Sequence, residues 1–579
     1  MAEESRRQRL EVLRRQLELD RSSFLTHWKE IADNIAPRRP RFYTSDVNRG
    51  DQRNQKIVDT SPVLSARALR AGLMGGITSP ARPWFRLTIS DQDAAGTGAV
   101  KDWLDETTTR MSAVFEKSNL YKVLLNVYGD IGNFATSAML IEKDFDYVLR
   151  CYCVPIGSYV IGLSDKLKVE VFFREFTMTV RQIVQKFGMQ DDGTIDWTNI
   201  STNVRNRYER NGLNDAINII HAVLPNDLFD EAKYESKYKK FSSLYYEKGM
   251  SGSQNTPEDD IYLSEKGYDY FPVLVPRWET TGEDSWGTNC PGMEALGDMK
   301  QLQVGQRRMA QAVDILVKPP MKGPTSLKTT AASIIPGKIT YVDERGDQSG
   351  FKPVFQIEPR TQELGLMQKD IQERISRTYY EDLFLMLSQS DRREITAREI
   401  DERHEEKLLA LGPVLEQLNQ DLLDPLIEIT FNFMNEQGLI STPPADIQGK
   451  NVRVEYISIM AQAQKLAGLA SIDRFSQYIA QTAEYDPSVL DKVDTHNLAD
   501  WYADICSMRA GVIRSEDVVQ QIQAQKAQVA QAEQKQNALM QVTQGAKNLS
   551  QADMSGDNAL TRLVQQSNAG NPLQSGVAS

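Results

Sequence analysis

The stretch ALGDMKQLQVGQRRMAQAVDILVKPP, residues 295–320, carries the clearest structural signal in the chain. The helix that it predicts should stop at Lys318-Pro319-Pro320, because proline has no N–H to donate and its ring clashes with the preceding turn. We therefore predict a helix over 295–317. Its apolar residues recur mostly at three- to four-residue steps, which places them on one helical face: Leu296, Met299, Leu302, Met309, Val313 and Leu316.

A second helix of similar length is expected after a Pro-rich polar insert at 318–358. Its apolar stripe is Leu364, Met367, Ile371, Ile375, Tyr379, Leu383 and Met386, which predicts a helix over 359–387. Each rod would span roughly 33–40 Å at the helical rise. A lone hairpin of two such rods leaves much apolar surface in water, so copies of the chain are its expected neighbours. The expected contacts between copies are Met309, Val313, Ile371, Ile375 and Tyr379.

A third, longer helix is expected after a short polar break at 388–395. Thr396-Ala397-Arg398-Glu399 is a capping box, in which the Thr hydroxyl and the Glu carboxylate satisfy backbone donors of the first turn. Leu and Ile residues then follow at alternating three- and four-residue steps, and Gly438 is a plausible terminator. Gly412-Pro413 and Pro425 lie inside this run, so we expect a kinked helix.

The segments before this hairpin mix helices and strands. Helices are expected over 5–36 and 101–131, and another should run from Ser61-Pro62 to Met74 before Gly75-Gly76. Between 135 and 278, short β-rich runs alternate with helices. Because many connections there are short, antiparallel pairing is expected. The predicted fold class is α+β and predominantly helical.

The C-terminal part is expected to be mainly helical. A strand is predicted at 452–457, followed by helices over 458–510 and a Gln/Ala-rich helix over 515–544. Residues 551–579 hold few large apolar side chains and should be disordered.

Composition narrows the class of protein. The chain has 579 residues, of which 40% are apolar and 25% charged, so it should divide into two to four domains. The formal net charge of −12 argues against a protein that reads nucleic-acid sequence through a basic face. It does not exclude one that lets nucleic acid slide past. No run of 18 apolar residues occurs, so no membrane span is expected.

We recognise no catalytic or metal-binding motif in the sequence. Gly337-Lys338 is followed by Ile339 rather than Ser or Thr, so a phosphate-binding loop is absent. Four dispersed histidines and the lack of a C-x-x-C motif argue against a zinc site, and no cofactor is predicted. The four cysteines of the chain indicate a reducing compartment. Cys151 and Cys153 are expected to be two small buried side chains on one face of a strand.

Several segments together resemble the portal, or head-to-tail connector, proteins of short-tailed bacteriophages. The matches extend over roughly residues 5–440, and their order and spacing are fairly specific. The segments are Asp59-Thr60-Ser61-Pro62 through Leu69, Ser79 to Leu87 with its Pro-Trp-Phe, Trp286-Gly287, Pro291-Gly292 leading into Ala295-Leu296-Gly297-Asp298, Thr396-Ala397-x-Glu399, and Leu411-Gly412-Pro413-Val414.

The resemblance implies a division of the chain into named parts. Residues 1–294 would form an N-terminal helix and an α+β wing. The two stem helices would be 295–317 and 359–387, with a clip at 318–358 between them. A channel loop at 388–395 would lead into a long wing helix and returning strand over 396–457. A helical crown over 458–550 and a disordered tail over 551–579 would follow.

The resemblance also implies a role and partners. Such proteins form a ring of about twelve subunits at one capsid vertex, through which double-stranded DNA passes without sequence specificity. The terminase large subunit, then tail adaptor or nozzle proteins, would dock on the ring, which would also contact the major capsid and scaffolding proteins. The chain would be a virion component, assembled in the host bacterial cytoplasm, with no membrane and no catalytic activity of its own.

Two groups of polar residues are the expected functional sites. The channel loop residues Gln389, Ser390, Asp391, Arg392 and Arg393 would face DNA, although ion pairs are an equal alternative for the two arginines. The clip is the most basic excursion in the middle of the chain, and its Lys322, Lys328, Lys338 and Arg345 would dock the partners. A turn with Arg38, Arg39 and Arg41 could meet phosphate, but a solvated turn is the favoured interpretation.

Two other functions stay open on the sequence alone. One is a phage-encoded hydrolase with an unrecognised site, which predicts a deep pocket with perturbed acids. The other is a helical scaffold protein without DNA. Only the conduit predicts a ring with a central hole.

Overall fold

The computed structural model describes residues 5–43, 50–89, 98–249, 261–317, 321–322, 352–353, 361–389, 411–447 and 452–457, together with short helical pieces within 475–482 and 519–540. Its helices and strands confirm a mixed α+β fold. Helices α1 to α4 span Arg6–Ile35, Ser61–Ile77, Gly98–Lys117 and Leu120–Phe134. Helices α5 to α8 span Val180–Ile183, Thr202–Glu209, Pro291–Glu294 and Leu296–Val317. Helices α9 to α12 span Thr361–Thr378, Glu381–Gln389, Gly412–Leu418 and Asp424–Glu436.

The twelve named strands pair only in antiparallel fashion, as the short connections predicted. Strands β1 to β4 span Phe85–Ile89, Ala138–Asp144, Val148–Val154 and Tyr159–Leu163. Strands β5 to β8 span Val169–Thr179, Ala216–Pro225, Phe241–Glu247 and Ser264–Tyr268. Strands β9 to β12 span Val273–Leu274, Met321–Lys322, Lys352–Pro353 and Val452–Tyr456. The largest sheet has the order β4-β5-β6-β7-β8, and a smaller one has the order β3-β2-β9.

A pair of distant strands ties the C-terminal part of the described chain to the N-terminal part. Strand β12 pairs with β1, with Phe85 opposite Tyr456 and Ile89 opposite Val452. Arg86 and Glu455 add an ion pair at 2.7 Å across the two strands. The strand predicted at 452–457 is therefore confirmed.

The main core joins α1, α2, α4, the small sheet and the root of the two-helix hairpin. Trp28 of α1 is fully buried and meets the Trp286 ring edge-on at 4.9 Å, and Tyr159 packs against the same indole at 5.6 Å. Aromatic rings bury large apolar areas and favour such tilted contacts. This cluster explains why Trp286-Gly287 lies in a fixed loop rather than in solvent.

Several helix boundaries differ from the prediction. Helix α2 continues through Gly75-Gly76 to Ile77, and its N-cap is Thr60. The segment at 101–131 is two helices, broken at Ser118-Asn119, because Asn119 instead donates to and accepts from the backbone of Cys151. The predicted second hairpin helix is also divided, into α9 and α10.

The predicted kink near Pro425 takes the form of a π-helical segment, Asn419–Leu423, between α11 and α12. A wider turn of this kind relieves the clash between the proline ring and the preceding carbonyl. Gly438 adopts a positive φ of 67° just beyond α12, as expected of a helix terminator. The capping box at Thr396 and the predicted helices over 458–510 lie outside the described residues, apart from the short pieces named above.

Candidate functional site

The two-helix hairpin is the most distinctive feature of the described structure. Helices α8 and α9 run antiparallel: Arg374 pairs with Asp298 at 2.8 Å near the root, and Gly365 lies beside Met309 further out. Beyond the helices the two chain segments pair as β10 and β11, with Met321 opposite Pro353. The insert therefore leaves and rejoins the hairpin at one point, as an extension of its tip.

A network of short polar contacts fixes the root of the hairpin to the segment before α2. The Gln303 side chain of α8 accepts from the backbone N–H groups of Val58 and Asp59, at 2.6 and 2.8 Å, and donates to the Asp59 carbonyl at 2.9 Å. The Asp59 carboxylate accepts from Gln306 of α8 and Gln372 of α9, both at 2.9 Å. One carboxylate thus joins both helices of the hairpin to the body.

The same carboxylate also begins helix α2. Its second oxygen accepts from the Ser61 N–H at 2.8 Å, which satisfies one of the donors left free in the first turn. Partial burial alone would raise the pKa of Asp59, but the hydrogen bonds from Ser61, Gln372 and Gln306 outweigh it and lower that pKa. Because three donors converge on it, the carboxylate is held in its charged form.

The inner half of the second stripe is buried inside a single chain. Ile371, Ile375 and Tyr379 are 2%, 0% and 0% exposed, and the Tyr379 hydroxyl donates to the Asn133 side chain at 3.3 Å. A side chain that already lies in the core of its own subunit has no surface left for another. This burial corrects the prediction that Ile371, Ile375 and Tyr379 contact a neighbouring subunit.

The second helix is broken because its continuation turns back onto α2. Tyr380 adopts a left-handed φ of 53°, and α10 starts at the next residue. The Phe384 ring of α10 lies directly over Gly72 of α2, where an added Cβ would be 2.0 Å from a ring carbon. The Glu381 carboxylate accepts from Ser65 at 2.9 Å and Ser376 at 2.7 Å, so it joins α2, α9 and α10.

The outer half of the hairpin exposes its apolar side chains. Met309 is half-buried and Val313 is 42% exposed, and the contact of both with a neighbouring subunit stays a prediction. Within the described residues nothing covers the outer apolar positions. The exposed members are Val313, Ile315, Leu316, Val317, Leu364, Leu366 and Met367.

The two groups of polar residues predicted as sites fall largely outside the described chain. Ser388 and Gln389 belong to α10 rather than to a loop, and Ser390, Asp391, Arg392 and Arg393 lie outside the described residues. In the insert, Lys322 is placed by its backbone in β10, and Lys328, Lys338 and Arg345 lie outside the described residues. Their proposed roles stay predictions.

The arginine-rich turn after α1 is not simply solvated. Arg39 forms a bidentate ion pair with Asp130 of α4, through contacts of 2.7 and 2.6 Å, and also approaches the Cys153 sulfur. Burial disfavours the charged guanidinium, but the Asp130 carboxylate raises the pKa of Arg39 above its usual range. The Cys151 side chain is buried as predicted, whereas Cys153 is only half-buried.

The one buried histidine of the described chain, His221, lies on strand β6 of the large sheet. His221 lies between Arg174, which donates to it at 3.1 Å, and Ser243 at 2.9 Å, and it stacks on Tyr245 at 3.9 Å. Burial and the nearby Arg174 and Lys186 charges lower the pKa of His221 well below its usual value. No group of three potential metal ligands occurs in the described ranges, and no helix there is both long and apolar enough to span a bilayer.

The described structure is an α+β body that carries a helical hairpin with exposed apolar side chains on its outer half. The chain belongs to the family described as bacteriophage head to tail connecting protein, whose family model matches residues 7–513. It is 42% identical over 571 residues to the portal protein of Salmonella phage epsilon15, covering 99% of this chain and all of that relative. It is 39% identical over 565 residues to the probable portal protein of Bordetella phage BPP-1, covering 98% and 99% of the two chains.

Proposed function

We propose that this chain is the portal subunit of a phage virion, located at the capsid vertex, where a closed ring of about twelve copies conducts double-stranded DNA. The observation that supports a ring is the exposure of apolar side chains on the outer half of the hairpin. Leu366 is 68% exposed, Val317 is 71% exposed and Met367 is 50% exposed on the two facing helices. Exposed apolar side chains of this kind are typical of a surface that a protein partner covers.

Copies related by rotation about one axis would cover this surface. A heterologous contact, in which one face of a subunit meets a different face of the next, generates a ring when the rotation closes. The outer half of each hairpin would then be buried against its neighbours, while the inner half is already held by the core residues Ile371 and Ile375.

The experiment compares two substitutions of the same kind at similarly exposed positions. Leu366→Asp should prevent ring closure and leave monomers or small oligomers, because it places a charge in the proposed interface. Leu19→Asp, at a position 72% exposed on α1, should leave the rings intact. Negative-stain electron microscopy and light scattering give the readout. Rings formed equally by both variants would refute the hairpin interface.

The same images test the two other functions considered. A monomer with measurable turnover would favour the phage-encoded hydrolase, and an assembly without a central hole would favour the helical scaffold. The family membership of the chain supports the structural role, and we propose that it has no catalytic activity of its own.

We infer the roles of the channel wall, the channel loop and the clip from the distribution of charged residues. With a net charge of −12 per chain, much of a channel wall would repel phosphate, and DNA could pass without being held. Arg392 and Arg393 would touch the duplex transiently at a constriction, with Gln389, Ser390 and Asp391 beside them. The clip residues Lys322, Lys328, Lys338 and Arg345 would dock the terminase large subunit and later the tail adaptor or nozzle proteins. The ring would also meet the major capsid and scaffolding proteins, after assembly in the host bacterial cytoplasm.

A further inference from the structure

A basic cleft lies in the body of the subunit, away from the exposed half of the hairpin. Its volume is about 510 Å³, and it opens between the end of α1, the first half of α2 and the middle of α4. Four arginines line it, Arg38, Arg39, Arg67 and Arg70, but only one carboxylate, that of Asp130. The cleft is therefore strongly cationic in a chain whose net charge is −12.

The one carboxylate of the cleft is already committed. Asp130 is 2% exposed at its side chain and receives both the Nε and an Nη of Arg39. This ion pair fixes the position of the Arg39 guanidinium. Beside it, Arg38 is held by a hydrogen bond to the Asp51 carbonyl at 2.9 Å.

Two further arginines line the cleft from α2 without a direct ion pair of this kind. Arg67 and Arg70 lie three residues apart, and both side chains line the cleft from the same face of α2. Neither forms a direct ion pair within the described part of the chain, but the Arg70 side chain lies beside Gly129 and its charge acts on the Asp130 carboxylate. Like charges at this spacing disfavour a helix, so their positions are not explained by the stability of α2.

We propose that this cleft binds phosphate groups, either free phosphate or the phosphodiester backbone of DNA. Guanidinium groups bind phosphate through paired N–H donors, and a tetrahedral oxyanion can accept from several guanidinium groups at once. A carboxylate has only two oxygens, so a single guanidinium group can satisfy it. Asn126 also lines the cleft, and the volume exceeds that of a single phosphate. This proposal goes beyond the conduit role and does not depend on ring formation.

The test uses the full-length protein and two defined probes. Pyrophosphate binding is measured by isothermal titration calorimetry, and binding of a short labelled duplex is measured by fluorescence anisotropy at several salt concentrations. The double variant Arg67→Ala/Arg70→Ala should weaken binding by about tenfold or more, as expected for lost hydrogen bonds to a charged group. For DNA, the slope of log affinity against log salt should fall by about one for each lost phosphate contact.

Each of two control variants also removes two positive charges, but at positions outside the cleft. Arg205→Ala/Arg210→Ala, on exposed positions in and just after α6, should bind both probes as the parent does. Arg392→Ala/Arg393→Ala reports on the channel loop, so a loss of DNA binding there alone concerns the conduit role and not the cleft. Circular dichroism establishes that each variant is folded.

Each outcome decides the proposal. If only the cleft variant loses pyrophosphate binding, while its duplex binding is unchanged, the ligand is free phosphate. If the cleft variant loses duplex binding, whether or not it also loses pyrophosphate binding, the ligand is the DNA backbone. If the parent binds neither probe, or if the cleft variant and the α6 variant weaken equally, the cleft is not a phosphate site. Binding of an acidic peptide in place of both probes would also overturn it.

Discussion

Asp59 performs several structural tasks with one short side chain. Its carboxylate begins α2 through Ser61 and receives one amide from each helix of the hairpin, Gln306 and Gln372. The hairpin is therefore positioned by hydrogen bonds at its root and not by apolar packing alone. Because each acceptor site is specific in direction, this arrangement fixes the angle at which the hairpin leaves the body.

Asp59→Asn should destabilise the chain by about 1–2 kcal/mol, because charge-assisted hydrogen bonds become neutral ones. The folded-state pKa of Asp59 is lowered, so its contribution is present above the unfolded-state pKa of about 3.9 and is lost as pH falls through the lower folded-state pKa. Thermal melting of the two proteins should thus differ at neutral pH and converge at low pH.

Asp33→Asn is the matched control for this prediction. Asp33 forms an exposed ion pair with Lys56 at 2.7 Å, so its loss should change stability by less than about 1 kcal/mol. Equal effects of the two substitutions at neutral pH would mean that the Asp59 network does not hold the hairpin.

At the scale of elements, the contact between α10 and α2 decides the path of the chain after the hairpin. Helix α9 could have continued, since Leu383 extends its apolar stripe. Instead Tyr380 takes a left-handed conformation, which costs a non-glycine residue about 1 kcal/mol or more. Burial of Phe384 over Gly72, and of Leu383, offsets that cost.

Gly72→Ala should destabilise the chain by about 1–3 kcal/mol, because the added methyl overlaps the Phe384 ring and forces it to move. Gly75→Ala lies on the same helix, with nothing within 4 Å of its added Cβ, and should stabilise by about 0.5–1 kcal/mol. Thermal melting of the two variants measures both effects. Two shifts of the same sign would exclude close packing of α10 on α2.

At the scale of the whole molecule, the burial of Ile371 and Ile375 changes how assembly should be tested. A charge at either position would disrupt the core of the subunit and so would unfold the chain rather than separate intact subunits. The interface is better probed at Leu366, where the side chain is exposed before assembly.

Changing Lys322, Lys328 and Lys338 together to Glu should preserve the rings and weaken docking of the terminase and the tail adaptor. The reason is that complementary charge chiefly sets encounter rate and specificity between partners. Pull-downs with each partner at two salt concentrations give the measurement. If both partners bound the variant and the parent equally, the charge of the clip would have no part in docking.

The sequence by itself determined the elements whose signals are local. The apolar periodicity predicted α8 to within one residue of its observed start at Leu296, and the glycine at 438 marked the end of α12. The lack of catalytic and metal motifs, together with the spaced segments of the resemblance, was enough to indicate the family. Such signals survive because helical spacing and capping depend on neighbours only a few residues away.

Only the tertiary structure decided which part of each apolar stripe is buried and which polar residues hold the hairpin. Gln303 contacts Asp59 from 244 residues away, and Arg39 reaches Asp130 across 91 residues. Periodicity shows that a face is apolar, but not whether its own chain or another copy covers it. That choice depends on the summed packing of distant segments, so Ile375 is a core residue while Leu366, on the same helix, faces outward.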